Sequence, residues 1–178
     1  MASDDPTSLI SADSVMAYIQ GVPDESRQFD FLLGEWELSC VRFGVDGSEK
    51  LRYKGFWKGT SLHNGRMLLD EFSARLDDGT EISSMATLRS YCPANKEWVM
   101  TFLVSHEPNR VTRFNGTREG DEMHLSGEGQ TLDGEALKFR VRFYAISESS
   151  FEWENRVSLD GGATWWRDST LSAVRKQS

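Results

Sequence analysis

From Gly34 onward, apolar and polar residues alternate with a period of two, in short runs cut by glycine, aspartate and asparagine. A period of two sends successive side chains to opposite faces of a strand, so each run reads as a half-buried strand. Ten are predicted: 36–43, 51–59, 66–75, 81–91, 98–104, 110–117, 122–128, 137–146, 151–159 and 164–174. In the second, Leu51, Tyr53 and Trp57 alternate with Arg52, Lys54 and Lys58. In the eighth, Leu137, Phe139, Val141 and Phe143 alternate with Lys138, Arg140 and Arg142. Asp46-Gly47, Asn64-Gly65, Asp77-Asp78-Gly79 and Asp160-Gly161-Gly162 punctuate the runs. Asn-Gly readily takes the positive φ of a hairpin turn. Before the strands, Ser11 or Asp13 caps a predicted short helix through about Gln20, with Val15, Met16 and Ile19 on one face. A second helical turn is predicted over 25–33.

Parallel strands need crossovers of about a dozen residues, and these turns are too short for them. The expected fold is therefore all-β: a sheet of about ten strands in antiparallel up-and-down order. Closure into a barrel removes its exposed edges, and a barrel of eight to ten strands has room for about one small ligand. The short N-terminal helix is expected to plug or cover one end. The organisation expected is an acidic N-terminal segment with that helix, residues 1–28, followed by one barrel domain, residues 29–178.

Composition changes this picture in three ways. The 178 residues suffice for one domain with its own core. The formal charge of −8 argues against nucleic acid or an anionic membrane as partner, because both are polyanions. Residues 1–30 hold −5 of it, which leaves −3 for the other 148, so an anionic ligand inside the barrel is not excluded. No signal-like or membrane-length apolar stretch is seen, and a cytoplasmic location is expected. Cys40 and Cys92 form no C-x-x-C pair and read as reduced thiols, with no metal site.

Phe29-Asp30-Phe31-Leu32-Leu33-Gly34-Glu35-Trp36 resembles the opening of calycin-type barrels, in which a Gly-x-Trp starts the first strand and the Trp plugs one end. The chain resembles more closely a family of uncharacterised bacterial lipocalin-like proteins. The shared phrases are that opening, Thr87-Leu88-Arg89-Ser90-Tyr91-Cys92-Pro93 with Trp98, Trp153-Glu154, and Ser158-Leu159-Asp160-Gly161-Gly162-Ala163-Thr164-Trp165. The resemblance spans roughly residues 29–174 and implies a calycin-like barrel, without an agreed activity. Two positions depart from the family: Cys92 stands where Asp is usual, and Arg167-Asp168 where an Asn often follows the Trp. The Gly-x-Trp-x-Gly-x-Gly phrase of haem-binding nitrobindin-like barrels is missing, since Glu37 and Leu38 follow Trp36. No haem, other cofactor or metal is expected.

Beyond Trp36, the tryptophans at 57, 98, 153, 165 and 166 exceed what a tightly packed barrel needs, and a cavity lined by some of them is expected. The aromatic and apolar ligand contacts expected are Trp57, Trp98, Met100, Phe102, Trp153 and Trp165. The polar ones are Arg89, Arg140 and Asn155. An inward Arg89 or Arg140 requires a carboxylate or an anionic ligand, because an unpaired buried charge is very costly. Glu71 and Glu154 are the candidate partners. The alternative is that these charges form exposed cross-strand pairs. Three functions are open on one scaffold. The first is binding of a hydrophobic or aromatic small molecule. The second is an isomerase, hydratase or cyclase using Glu71, Glu154 or His106 as acid or base. The third is a packed structural module that forms a homodimer.

Overall fold

The computed structural model describes residues 11–107, 109–131 and 133–177. Asp4 and Asp5 of the acidic N-terminal segment lie outside them. Ten strands form one closed antiparallel barrel, each paired with its chain neighbours and the first with the last. They are β1 (Gly34–Phe43), β2 (Glu49–Leu62), β3 (Met67–Arg75), β4 (Glu81–Cys92) and β5 (Glu97–Val104). The other half comprises β6 (Val111–Glu119), β7 (Glu122–Gln130), β8 (Ala136–Tyr144), β9 (Ser150–Ser158) and β10 (Trp166–Arg175).

The predicted strands are all present, and their ends move for local reasons. The eighth stops at Tyr144, two residues early, because Ala145 takes a positive φ of 49° that a strand cannot hold. The tenth starts at Trp166 instead of Thr164. Asp160 holds Thr164 in the turn, accepting from its backbone N–H at 2.9 Å and from its hydroxyl at 2.6 Å. The 63–65 turn carries three successive positive φ values, at His63, Asn64 and Gly65.

Helix α1 (Ala12–Ile19) begins where Ser11 accepts the Ser14 N–H. It does not plug the barrel, contrary to expectation: none of its residues is buried, and Met16 and Ile19 are exposed. Arg66 fastens it from outside, stacking on the Tyr18 ring and donating to the Tyr18 and Gly21 carbonyls. Two 3₁₀ turns, Asp24–Arg27 and Asp30–Leu32, replace the predicted helical turn, and the second supplies the plug. Phe29, Leu32 and Trp36 are completely buried. The Trp36 indole donates to the Leu32 carbonyl at 3.1 Å, and its ring packs edge-on to Phe151. Phe29 meets Trp98 edge-on with ring centres 4.8 Å apart. Arg175, stacked on Trp36, donates to the Leu33 and Phe31 carbonyls and ties the plug to β10. The turn sits this close because residue 59 is glycine: a Cβ there would fall on the Leu32 carbonyl.

The plugged end carries the start of β1, the end of β2 and the start of β3. The loops that join β1 to β2, β3 to β4, β5 to β6, β7 to β8 and β9 to β10 gather at the other end. Among the described residues, no helix is long and apolar enough to cross a membrane.

Candidate functional site

Alternation within each strand sends one residue in two into the barrel. Near the plug these side chains close-pack. Towards the loop end they leave a cavity of about 550 Å³. Nine aromatic side chains face it: Tyr53, Trp57, Phe72, Phe102, Phe114, Phe139, Phe143, Trp153 and Trp166. Arg42, Arg110, Thr131, Leu159 and Trp166, at the loop ends of their strands, border the mouth.

The deep end is polar. Asp70 on β3 lies opposite Thr87 on β4, with Arg89 two residues further on the same face. This diagonal brings Arg89 Nε to Asp70 Oδ2 at 2.5 Å, and both side chains are 3% exposed or less. Arg89 Nη1 also donates to Met100 Sδ, and the guanidinium stacks on Phe29 and Phe143. Burial pushes the Asp70 carboxyl above its ordinary value, while Arg89, Thr87 and Trp57 oppose the rise by favouring its charge. The Trp57 indole N–H is buried and makes no well-formed hydrogen bond.

A second polar group borders the mouth. Arg42 Nη2 contacts Asp168 Oδ1 at 3.0 Å, and Asp168 Oδ2 accepts from Ser169 at 2.9 Å and from the Asn155 amide at 3.4 Å. Asp168 thereby neutralises Arg42. Along the wall, Tyr53 faces the buried Cys40 across β1 and β2. Burial, chiefly, pushes both the thiol and the phenol up to about 12. Neither supplies a nucleophile near neutral pH.

Of the residues expected to contact a ligand, Trp57, Arg89, Phe102, Trp153 and Asn155 line the cavity together. Trp98 and Met100 lie on the inner face but below the cavity. Trp98 is packed under the plug and donates to Gln28 Oε1 at 3.0 Å, and Met100 is sealed beneath Arg89. Arg140 points outward, because it alternates with the inward Phe139 and Val141. It stacks on Trp165, which lies in the turn before β10 with its indole bonded to the Gly162 carbonyl. Trp166 takes the cavity position instead, because a bulge at Arg167/Ser169 shifts the alternation of β10 by one residue.

The three acid–base candidates are outside the cavity. Glu71 sits on the outer face of β3, one residue from the inward Asp70. Glu154 lies on the outer face of β9, 3.5 Å from Arg142 and 3.3 Å from Arg156. His106 is exposed in the turn after β5. Arg89 therefore pairs with Asp70, and with neither glutamate expected to meet it. Leu68, Asp70 and Phe72 share one face by period two, and a lone carboxylate in that apolar stripe is the signal that could have found it. Among the described residues, no group of three or more His, Cys, Asp or Glu side chains could hold a metal ion.

Residues 23–170 match the model of a family described as a protein of unknown function, DUF1579. No curated protein sequence matches the chain. Among solved structures, it is similar to Rv2717c from M. tuberculosis, with 13% identity and a TM-score of 0.61 over 88% of this chain and all of that one. It is also similar to the S-type phycobiliprotein lyase CPES from Guillardia theta, with 10% identity and a TM-score of 0.59 over 88% of this chain and 99% of that one. At such low identities the likeness concerns the fold.

Proposed function

We propose that this chain, which belongs to the DUF1579 family, binds a small apolar or aromatic molecule inside its barrel. The observation that carries the reading is the cavity: about 550 Å³, plugged at one end, bordered by loops at the other and walled by aromatic rings. Small-molecule sites are typically concave, apolar spaces of roughly 300–1,000 Å³ with a few placed polar groups. A barrel kept only for stability would gain dispersion energy by filling that space. Binding is favoured over acid–base catalysis because each carboxylate in the wall faces an arginine, Asp70 with Arg89 and Asp168 with Arg42. An arginine held against a carboxylate occupies one of its oxygens and competes with a substrate proton for its charge.

Native mass spectrometry of protein purified without denaturation tests this reading. The expected result is a co-purifying small molecule, lost when Thr112, which lines the cavity, is replaced by tryptophan to fill it. Wild-type protein that carries no adduct and also fails to take up an added hydrophobic fluorophore would overturn the reading.

A further inference from the structure

The cavity wall carries five formally charged side chains: Arg42, Asp70, Arg89, Arg110 and Asp168. Each has a counter-charge in contact. Arg89 meets Asp70, Arg42 meets Asp168 at 3.0 Å, and Arg110 meets Glu107 at 3.1 Å. Among the described residues, no charge in the wall is left over for a ligand to neutralise. The mouth adds a second filter. Among the described residues, its five loops hold Asp46, Asp77, Asp78, Glu107, Asp133, Glu135 and Asp160 against Arg110 alone. Asp46, Asp77 and Glu107 pair with Lys50, Lys54 and Arg110, and the acidic excess that remains raises the local concentration of cations and lowers that of anions.

Resting on the binding reading above, we propose that the cavity selects uncharged aromatic molecules and excludes their anionic counterparts, with Asp168 as the residue that sets this preference. A carboxylate entering the barrel would lose its hydration and find every guanidinium already paired. A cation would pass the acidic mouth but meet the same lack of a free partner inside. An uncharged ring system loses little hydration and gains edge and face contacts with the aromatic wall. Asp168 matters most because Arg42 is the more exposed of the two arginines at the mouth and Asp168 is what neutralises it, whereas Arg110 pairs with Glu107. This removes the role that the sequence left open for an acidic head group on Arg89 or Arg140: the first is paired, and the second is outside the cavity.

The test uses three probes that share one ring system: anthracene-9-carboxamide, anthracene-9-carboxylate and 9-(aminomethyl)anthracene, titrated at pH 7.4 with fluorescence detection. The carboxamide is expected to bind at least about ten-fold more tightly than either charged probe, a difference of about 1.4 kcal/mol. In Asp168→Asn, which leaves Arg42 without its carboxylate, the carboxamide-to-carboxylate preference is expected to fall about ten-fold. In Arg42→Gln, which leaves Asp168 unpaired, it is expected to rise, and this variant decides the matter if the first does not fold. If a charged probe binds as tightly as the carboxamide, or if neither folded variant moves the preference, this inference is overturned while the binding reading stands. Failure of all three probes to bind overturns this inference, and together with wild-type protein that carries no co-purifying adduct it overturns the binding reading as well.

Discussion

Removing one member of the Asp70–Arg89 pair tests whether the floor of the cavity is built as described. Asp70→Asn keeps the side-chain volume and deletes the charge, which leaves a guanidinium with 3% exposure and no carboxylate. Breaking a buried pair from one side costs about 3–5 kcal/mol, since the remaining charge stays buried without compensation. Arg89 retains its Met100 contact and the ring of Phe29, 4.6 Å from the guanidinium carbon. The lower end, about 3 kcal/mol, is therefore expected, because cation–π contacts offset part of the loss. The double variant Asp70→Leu/Arg89→Met replaces the pair by apolar groups of similar size and should recover most of that loss. Equilibrium urea unfolding, followed by tryptophan fluorescence, gives the stabilities. With a slope of about 2 kcal/mol/M, the single variant shifts the midpoint down by about 1.5 M. A single-variant cost below about 1 kcal/mol, or a double variant as unstable as the sum of the two single changes, would refute a paired, buried charge at this position.

Three further outcomes follow from the plug, the wall and the free thiols. Gly59→Ala places a methyl group on the Leu32 carbonyl. It should cost about 2 kcal/mol, a fall in Tm of about 4–8 °C, and raise hydrogen exchange across 29–36; an unchanged Tm would show that the plug does not depend on that close approach. Cys40 and Tyr53 have folded-state values near 12, against ordinary values of 9.0 and 10.0. Groups whose values rise on folding add stability that is complete below their ordinary values and lost as pH climbs towards the folded ones. Melting temperature should therefore decline between about pH 9 and 12, less so in Cys40→Ala, and identical wild-type and variant profiles would contradict this. At neutral pH a thiol reagent should modify the half-buried Cys92 before the buried Cys40.

Strand number, order and barrel closure were legible along the chain because they depend on local information. A period of two and a turn residue every ten or so positions are enough to define a meander, and short turns permit only antiparallel neighbours. Some of the cavity wall was legible for the same reason: Trp57, Arg89, Phe102, Trp153 and Asn155 sit in unbroken alternation with apolar neighbours. Tertiary structure decided what alternation cannot count. A slip of one residue turns a side chain to the other face, so Trp166 occupies the place that the sequence assigned to Trp165, whereas Asp70, in regular alternation with Leu68 and Phe72, was legible but passed over for Glu71. For Trp166 the cause is the bulge at Arg167/Ser169, whose extra residue only its pairing with β9 reveals. Which segment closes the barrel was equally non-local, because α1 and the 29–36 stretch are both apolar, and the outcome rests on a bare glycine on β2 and an arginine at the end of β10. Whether the aromatic residues fill the barrel or surround a space depends on the circumference of all ten strands together, a quantity that no single stretch of sequence contains.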